Sequence, residues 1–451
     1  MKKRMNILCA LLLSLVLMTS LTGLAAASEN AADAFENKEL NIAIFEGGYG
    51  PAYWNEVIQL FEAAYPGVKV TMQISPVVGD IIRPQMVAGN VPDFLSLNDN
   101  DQTGVVASLI KENGLLDISS LFDEPAYGED DPLRDILLEG ILETPKCAPY
   151  GDGKVYLAPF NTSPMGMVYN KTLFAENGWE LPVTWDDFFA LGDKAKEKGI
   201  SLFTYQGIYP GYLESTIYPA IASEIGPDGL RKVMSFQEGS FNNPQVLAIL
   251  NNIRKIGTEG YLMPGTVALN HTQSQTDMMM NKALFIPNGL WMEGEMAEAP
   301  RADGFVFGMT PSPVMSSDDQ RYIMAGVEQF SIPKDAKNPE LAKAFLRFLY
   351  TDESVRLFGQ HANGVMAVRG AIDLVKEYVS EGTYGMYTVY EDSGAATLVP
   401  GWDAVPQGSK VAINDEFFAP ISDVMNGAMT AEAWAEEIEA LFAQIRADAA
   451  K

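Results

Sequence analysis

Between residues 40 and 98 three short apolar strands alternate with two helical stretches, and this alternation restricts the fold of the chain more than any other feature. "LNIAIFEG" (40–47) alternates apolar residues and ends in a Gly-Gly turn, as a strand does. Trp54, Val57, Ile58 and Phe61 then fall at i, i+3, i+4 and i+7, one face of a helix that Pro66-Gly67 stops. "VKVTMQI" (68–74) and "PDFLSLN" (92–98) supply two more strands with a helical stretch between them. A β-α-β-α-β opening of this kind predicts an α/β fold with a parallel sheet. At 451 residues the chain is too long for one ordinary core, so two lobes or domains are expected.

The rest of the chain continues the alternation with one interruption. Residues 117–150 are acidic, Pro-punctuated and irregular. "GKVYLAPF" (153–160) and "MGMVYN" (165–170) read as two strands. In "LPVTWDDFFALGDKAKEKG" Thr184 can cap a helix, with Asp187 three residues on. Strand character returns at "ISLFTY" (200–205), helical patterns fill 212–260, and "KALFIPNG" is a further strand. Later, "FVFGMTPSP" and "EQFSIPK" read as strands. "NPELAKAFLRFLYT" reads as a helix with Asn338 at the cap and Pro339 at its first position. In the last helix Trp434, Ile438, Leu441 and Ile445 share a face, so Trp434, like Trp54, is expected in the core.

The N-terminus predicts export. Lys2-Lys3-Arg4, the apolar "ILCALLLSLVLM" and Ala25-Ala26-Ala27 have the layout of a cleavable signal peptide over 1–27. Losing its three charges takes the formal net charge from −28 to −31. A surface that acidic repels phosphates, so nucleic acid is not an expected partner, and neutral or cationic ligands remain open. Cleavage also removes Cys9, which lies inside the apolar stretch rather than at the cleavage site, so no lipoprotein cysteine is expected there. Cys147 is then left alone and an intrachain disulfide is ruled out. An extracytoplasmic protein results, in a periplasm or at a cell surface.

Chemistry is conspicuous by what is missing. There are two histidines, His271 and His361, each far from any Ser or Cys motif, and no nucleotide-binding or zinc-protease signature. Two His and one mature Cys do not make a usual zinc site, and neither a metal nor a cofactor is expected. "DNDQTG" (99–104) partly imitates a calcium loop, but Ile110 stands where the bidentate Glu is required, so a polar turn is the reading. A pair of carboxylates could still serve a glycosidase, and 59 acidic residues make that test uninformative.

Ligands of parallel α/β sheets bind beyond the carboxyl ends of the strands, so the residues after each strand are the candidates. They are Glu46 and Tyr49 after the first, Asn98 and Asp99 after the third, and Asn161 after "GKVYLAPF". Tyr205 closes "ISLFTY" and Gln206 and Tyr209 follow it, Trp291 and Glu295 follow "ALFIPNG", and Trp402 sits in "VPGWDAVP". Aromatic faces beside amides and carboxylates suit a sugar, whose ring has an apolar C–H face and a rim of hydroxyls. Each also has a packing alternative. Trp291, Trp402 and Tyr205 could be core, Tyr209 a surface loop, Glu46 or Asp99 helix caps, and Glu295 helix surface.

Three segments carry a resemblance: "GKVYLAPFNTSPMGMVYNKTLFAENGWELPVTWDDF", "KALFIPNGLWMEGEM" and "KNPELAKAFLRFLYTDESVRLFGQHANGVMAVRG". Together they resemble the extracellular solute-binding proteins of bacterial carbohydrate ABC importers, the maltose-binding-like group. "FTYQGIYPGYLES" is also similar to the binding components of N-acetylglucosamine and chitobiose importers. The resemblance implies an α/β, two-lobe periplasmic-binding-protein-like fold whose lobes are linked by a hinge around a central ligand cleft. It implies lobes of 38–158 plus 310–350 and 159–309 plus 351–451, with Trp291 as a stacking aromatic. The expected function is capture of a neutral sugar or oligosaccharide, an amino sugar among the candidates, and delivery to ABC permease subunits by a monomer without enzymatic activity. The alternatives are a secreted carbohydrate-active enzyme using two carboxylates, a binder of peptides or polyamines, and a surface scaffold.

Overall fold

The computed structural model describes residues 35–98, 101, 103–138, 140–389, 393–406 and 408–451. The signal segment 1–27 and Asp99 lie outside the described residues. The opening folds as its periodicity requires. Strand β1 (Glu39–Phe45) lies between β2 (Lys69–Ser75) and β3 (Phe94–Ser96), parallel to both. The helix Ala52–Ala64 covers this sheet by burying Tyr53, Trp54, Val57 and Phe61. Of the segment 99–104, Asp101 and Thr103 are among the described residues before Gly104, and Asp101 Oδ1 accepts from the Thr103 amide at 2.8 Å, a polar contact two residues apart.

Two long strands then join this half to the second. β4 (Leu157–Asn170) and β8 (Tyr322–Ser331) run antiparallel through the middle of the sheet order β2-β1-β3-β8-β4-β6-β5. At one end β8 meets β3 through Leu95 and Ser96; at the other β4 pairs β6 (Ala283–Gly289) and β7 (Phe307–Thr310), and β8 pairs β9 (Ala396–Leu398). β5 (Ser201–Phe203) closes the far edge, parallel to β6. The two strands expected at 153–160 and 165–170 are therefore one, because the polar Asn161, Thr162 and Ser163 are buried inside the pairing instead of ending it. The register shifts between Pro159 and Thr162, and Asn161 bridges to Met366.

Two large hydrophobic cores flank the crossing. One gathers Trp54, Phe61, Phe94, Phe330 and Phe345; the other gathers Phe188, Phe203, Phe285, Phe417 and Trp434. The helix Trp185–Lys196 enters the second core through a complete capping box, Thr184 and Asp187 satisfying each other's backbone amides. Asn338 precedes Pro339 as expected but does not cap. Its side-chain amide donates to the carbonyls of Asn37 and Glu39, tying the helix Pro339–Leu349 to β1. The helix Asp352–Ala362 packs on the first core, with Tyr53 and Ser354 sharing a hydroxyl hydrogen bond of 2.9 Å. Ala431–Ala449 packs on the second, burying Trp434.

Candidate functional site

Because β1, β3, β5 and β6 all point their carboxyl ends toward the crossing strands, the loops that follow them converge from both halves. The 46–50 loop of the first half touches the Trp291 turn of the second. A Cβ placed on Gly48 would stand 3.8 Å from Trp291 Cβ, and one on Gly294 would stand 3.7 Å from the Gly48 carbonyl oxygen. Trp291 opens the short helix Met292–Glu295 and is half-buried, its indole folded back over Gly289. Tyr212 takes a hydrogen bond from Trp291, and burial, aided by the nearby Glu295 charge, pushes its hydroxyl up to about 12.

Beneath this turn lies a set of buried amides. Gln206 Nε2 donates to the Pro287 carbonyl at 2.9 Å, Gln275 Nε2 donates to Glu295 Oε2 at 3.0 Å, and Asn288 Oδ1 accepts from the Gly289 amide at 2.8 Å. Each side chain is fully buried, and each retains one unpartnered atom: Gln206 Oε1, Gln275 Oε1 and Asn288 Nδ2. Buried polar atoms without partners are uncommon in folded proteins. His271 stands 3.5 Å from Glu295 Oε1, and the exposed ring of Tyr209 lies 5.7 Å from the His271 ring.

The crossing strands form the base of the cleft. Tyr49, at the end of the 46–50 loop, shares a 3.1 Å hydrogen bond with Ser163 of β4, and Thr162 shares one of 3.3 Å with Tyr387 of the helix Glu381–Tyr387. Burial, the Glu328 charge and Tyr387 together hold the Tyr49 hydroxyl far above its ordinary range, against the Ser163 bond. Glu328, on β8, has its carboxyl pushed up to about 7 by burial, tempered by the Asn161 amide. No sequence argument singled out Glu328. The one hint was a carboxylate, beside Gln329, after the apolar "YIMAGV". That helix is docked by Glu293, whose carboxylate accepts from Ser380 and Thr383.

The expected residues separate accordingly. Tyr49, Gln206, Trp291 and Glu295 lie around the convergence of the loops, Asn161 lies at the base and Tyr209 on the rim. Glu46 is partly exposed, its amide bonded to the Ser75 carbonyl. Asn98 spends its side-chain oxygen on the Gln329 amide, so it fastens β3 to β8. Two aromatics are packed instead of presented. Tyr205 is fully buried in the second core, where burial pushes its hydroxyl up to about 12. Trp402 stacks on Phe236 at 5.7 Å and 2°, with Phe417, Phe442 and Tyr218 around it, so the ring is packed on that core although the neighbouring Gly401 faces Pro145 across a cavity. That cavity, of about 530 Å³, runs between Ile141 and Pro145 on one side and Arg231 and Leu398 on the other, meeting the crossing strands at Thr162 and Ala325. None of the residues expected from the sequence lines it. Among the described residues no cluster of His, Cys, Asp or Glu could hold a metal ion, and no helix is long and apolar enough to cross a membrane.

Two cores on one sheet, joined by crossing strands with a polar base and converging loops, define a two-lobed binding protein. The profile of the bacterial extracellular solute-binding proteins matches residues 46–356, and the chain belongs to that family. The diacetylchitobiose binding protein NgcE of Streptomyces coelicolor is 30% identical over 355 residues, 76% of this chain and 73% of the relative. Among solved structures, the apo form of RafE from Streptococcus pneumoniae superposes with a TM-score of 0.69 at 20% identity, covering 91% of this chain and 99% of that one. A chitin oligosaccharide binding protein superposes with a TM-score of 0.68 at 19% identity, covering 92% and 100%. Membership implies export to the periplasm or cell surface and partnership with an ABC transporter.

Proposed function

We propose that this chain captures an uncharged sugar or short oligosaccharide in the cleft between its lobes and delivers it, without chemical change, to the permease subunits of an ABC importer. The observation that carries the reading is the Trp291 turn, which sets a half-buried indole above three buried amides with unpartnered atoms, opposite the 46–50 loop of the other lobe. The indole supplies a flat apolar surface and the amides supply donors and acceptors, the two demands of a pyranose. Relatives named for diacetylchitobiose and for multiple sugars support the class, and an N-acetylated amino sugar is the first candidate. Trp291, Tyr49, Gln206, Asn161, Glu295 and Tyr209 are the residues to which we assign ligand contact. Tyr205 and Trp402 support them from the core, and Asn98 from the sheet.

The lobes divide at β4 and β8, the hinge strands, and the first core runs past them to Ile286, Met292 and Phe307. We assign the helix Asp352–Ala362 to the first lobe because it packs on Ala52–Ala64, which moves the boundary from that expected at 351. A ligand that touches both lobes favours closure by its extra affinity for the closed state. The protein acts as a monomer once its signal peptide is cleaved, without a lipid anchor at that site. A thermal-shift screen of residues 28–451 tests the reading, with mono- and oligosaccharides, amino sugars, peptides and polyamines as probes. At a hundredfold excess over Kd the ligand should add about 2.7 kcal/mol of stability. Stabilisation by peptides or polyamines alone, turnover of a chromogenic glycoside, or silence across the panel would overturn it.

A further inference from the structure

Asn161 and Glu328 come from different crossing strands and are 167 positions apart, yet each lies against the other. Asn161 is 1% exposed, and neither atom of its amide has a hydrogen-bond partner of ordinary geometry among the described residues. It occupies the register irregularity of β4, where the strand departs from regular pairing with β8. Glu328 remains partly open to solvent although protein crowds its carboxyl. A buried amide whose acceptor is unpartnered and whose donor is only loosely set against a carboxyl that keeps an opening is an unfinished hydrogen-bonding set. The packing of the fold does not need it, since an apolar pair would fill the same space without leaving polar atoms unpartnered.

We propose that Asn161 and Glu328 together form a recognition element at the base of the cleft, which receives an uncharged donor–acceptor group of the ligand, a hydroxyl or an acetamido group. The inference rests on the sugar-capture reading and names two residues that set which sugar is accepted. Burial raises the Glu328 carboxyl to about 7, so near neutrality much of it is the neutral acid, able to donate through O–H and accept through C=O. The titratable groups facing this site are Tyr49 from the loop after β1 and Tyr387 from the helix Glu381–Tyr387. Both hydroxyls are held up by burial and uncharged in this range, so the titration near neutrality belongs to Glu328. A neutral ligand laid against the carboxyl desolvates it further and favours the acid form. Affinity therefore falls as pH rises through about 7, by about tenfold between pH 6 and pH 8.

The test is calorimetric titration of the full mature chain with N,N′-diacetylchitobiose, raffinose and maltose at pH 6 and pH 8, carried on with whichever the wild type binds most tightly. Glu328→Gln keeps the shape and both hydrogen-bonding functions, so it should bind within about threefold of wild type at pH 6 and show no weakening at pH 8. Asn161→Leu and Glu328→Leu, checked for folding by their unfolding transitions, should each lose roughly tenfold or more. Wild-type affinity in both leucine variants, or a wild-type Kd that is the same at both pH values, overturns the recognition element while leaving sugar capture standing. A wild type that binds no sugar at either pH overturns both.

Discussion

Gly289 offers a direct test of how the Trp291 indole is held. It ends β6 opposite Met165, and its φ is not positive, so an alanine there incurs no backbone strain. The obstacle is the indole. A Cβ on Gly289 would stand 2.0 Å from Cζ3, 2.3 Å from Cη2 and 2.5 Å from Cε3 of Trp291, so the ring must swing away by more than an ångström in its neighbourhood. Overpacking of this kind costs about 1–3 kcal/mol. In a Trp291→Ala background those three atoms are gone, and Gly289→Ala should be neutral or stabilise by up to about 1 kcal/mol, since alanine also restricts the unfolded chain. Chemical denaturation of the four proteins of the cycle should therefore give a coupling of about 1–3 kcal/mol. Binding follows the same logic. Displacing the ring by Gly289→Ala should lose about 1 kcal/mol of stacking with the sugar, near fivefold in Kd, and the double variant should be no weaker than Trp291→Ala alone. If Gly289→Ala costs the same stability with and without the indole, the ring is not what occupies that space and the account of the turn fails.

Trp402→Ala should act on the fold more than on the ligand, lowering stability by about 3 kcal/mol while the folded protein keeps its Kd, because the ring is stacked on Phe236. Glu328→Gln should separate from wild type only when the solution is not acidic. The unfolded glutamate releases its proton near 4.5 and the folded one near 7, so wild-type stability falls as pH climbs through that window. The variant should gain on the order of 3 kcal/mol at pH 8 and little at pH 4, as read by denaturation at the two pH values. Glu293→Ala should release the helix Glu381–Tyr387, whose Ser380 and Thr383 hydroxyls it receives. A local loss of about 2 kcal/mol should appear as faster amide exchange across 381–389, without change in the second core.

What could be read from the sequence was encoded at short range, though not every short-range signal is realised, since Asn338 does not cap its helix. The apolar alternation of 40–47 and the i, i+3, i+4, i+7 face of Trp54 to Phe61 predict β1 and its covering helix, because backbone geometry repeats every two or every 3.6 residues. Thr184 and Asp187 make their capping box within four residues, and Trp434 reaches its core on a regular helical face. The strand ends were partly readable too, since each is identifiable by itself. Which residues meet there was not. Trp291 and Trp402 both stand on Pro- and Gly-flanked turns, and only the path of the chain puts one opposite the 46–50 loop and the other on Phe236. Glu328 looks like an ordinary outward residue of an alternating strand until β8 crosses beside β4 and brings it to Asn161. Local pattern determines the elements because each is stabilised by neighbours within a few residues. The candidate site joins side chains as distant as Tyr49 and Ser163 or Asn161 and Glu328, and only the crossing of two strands decides their company.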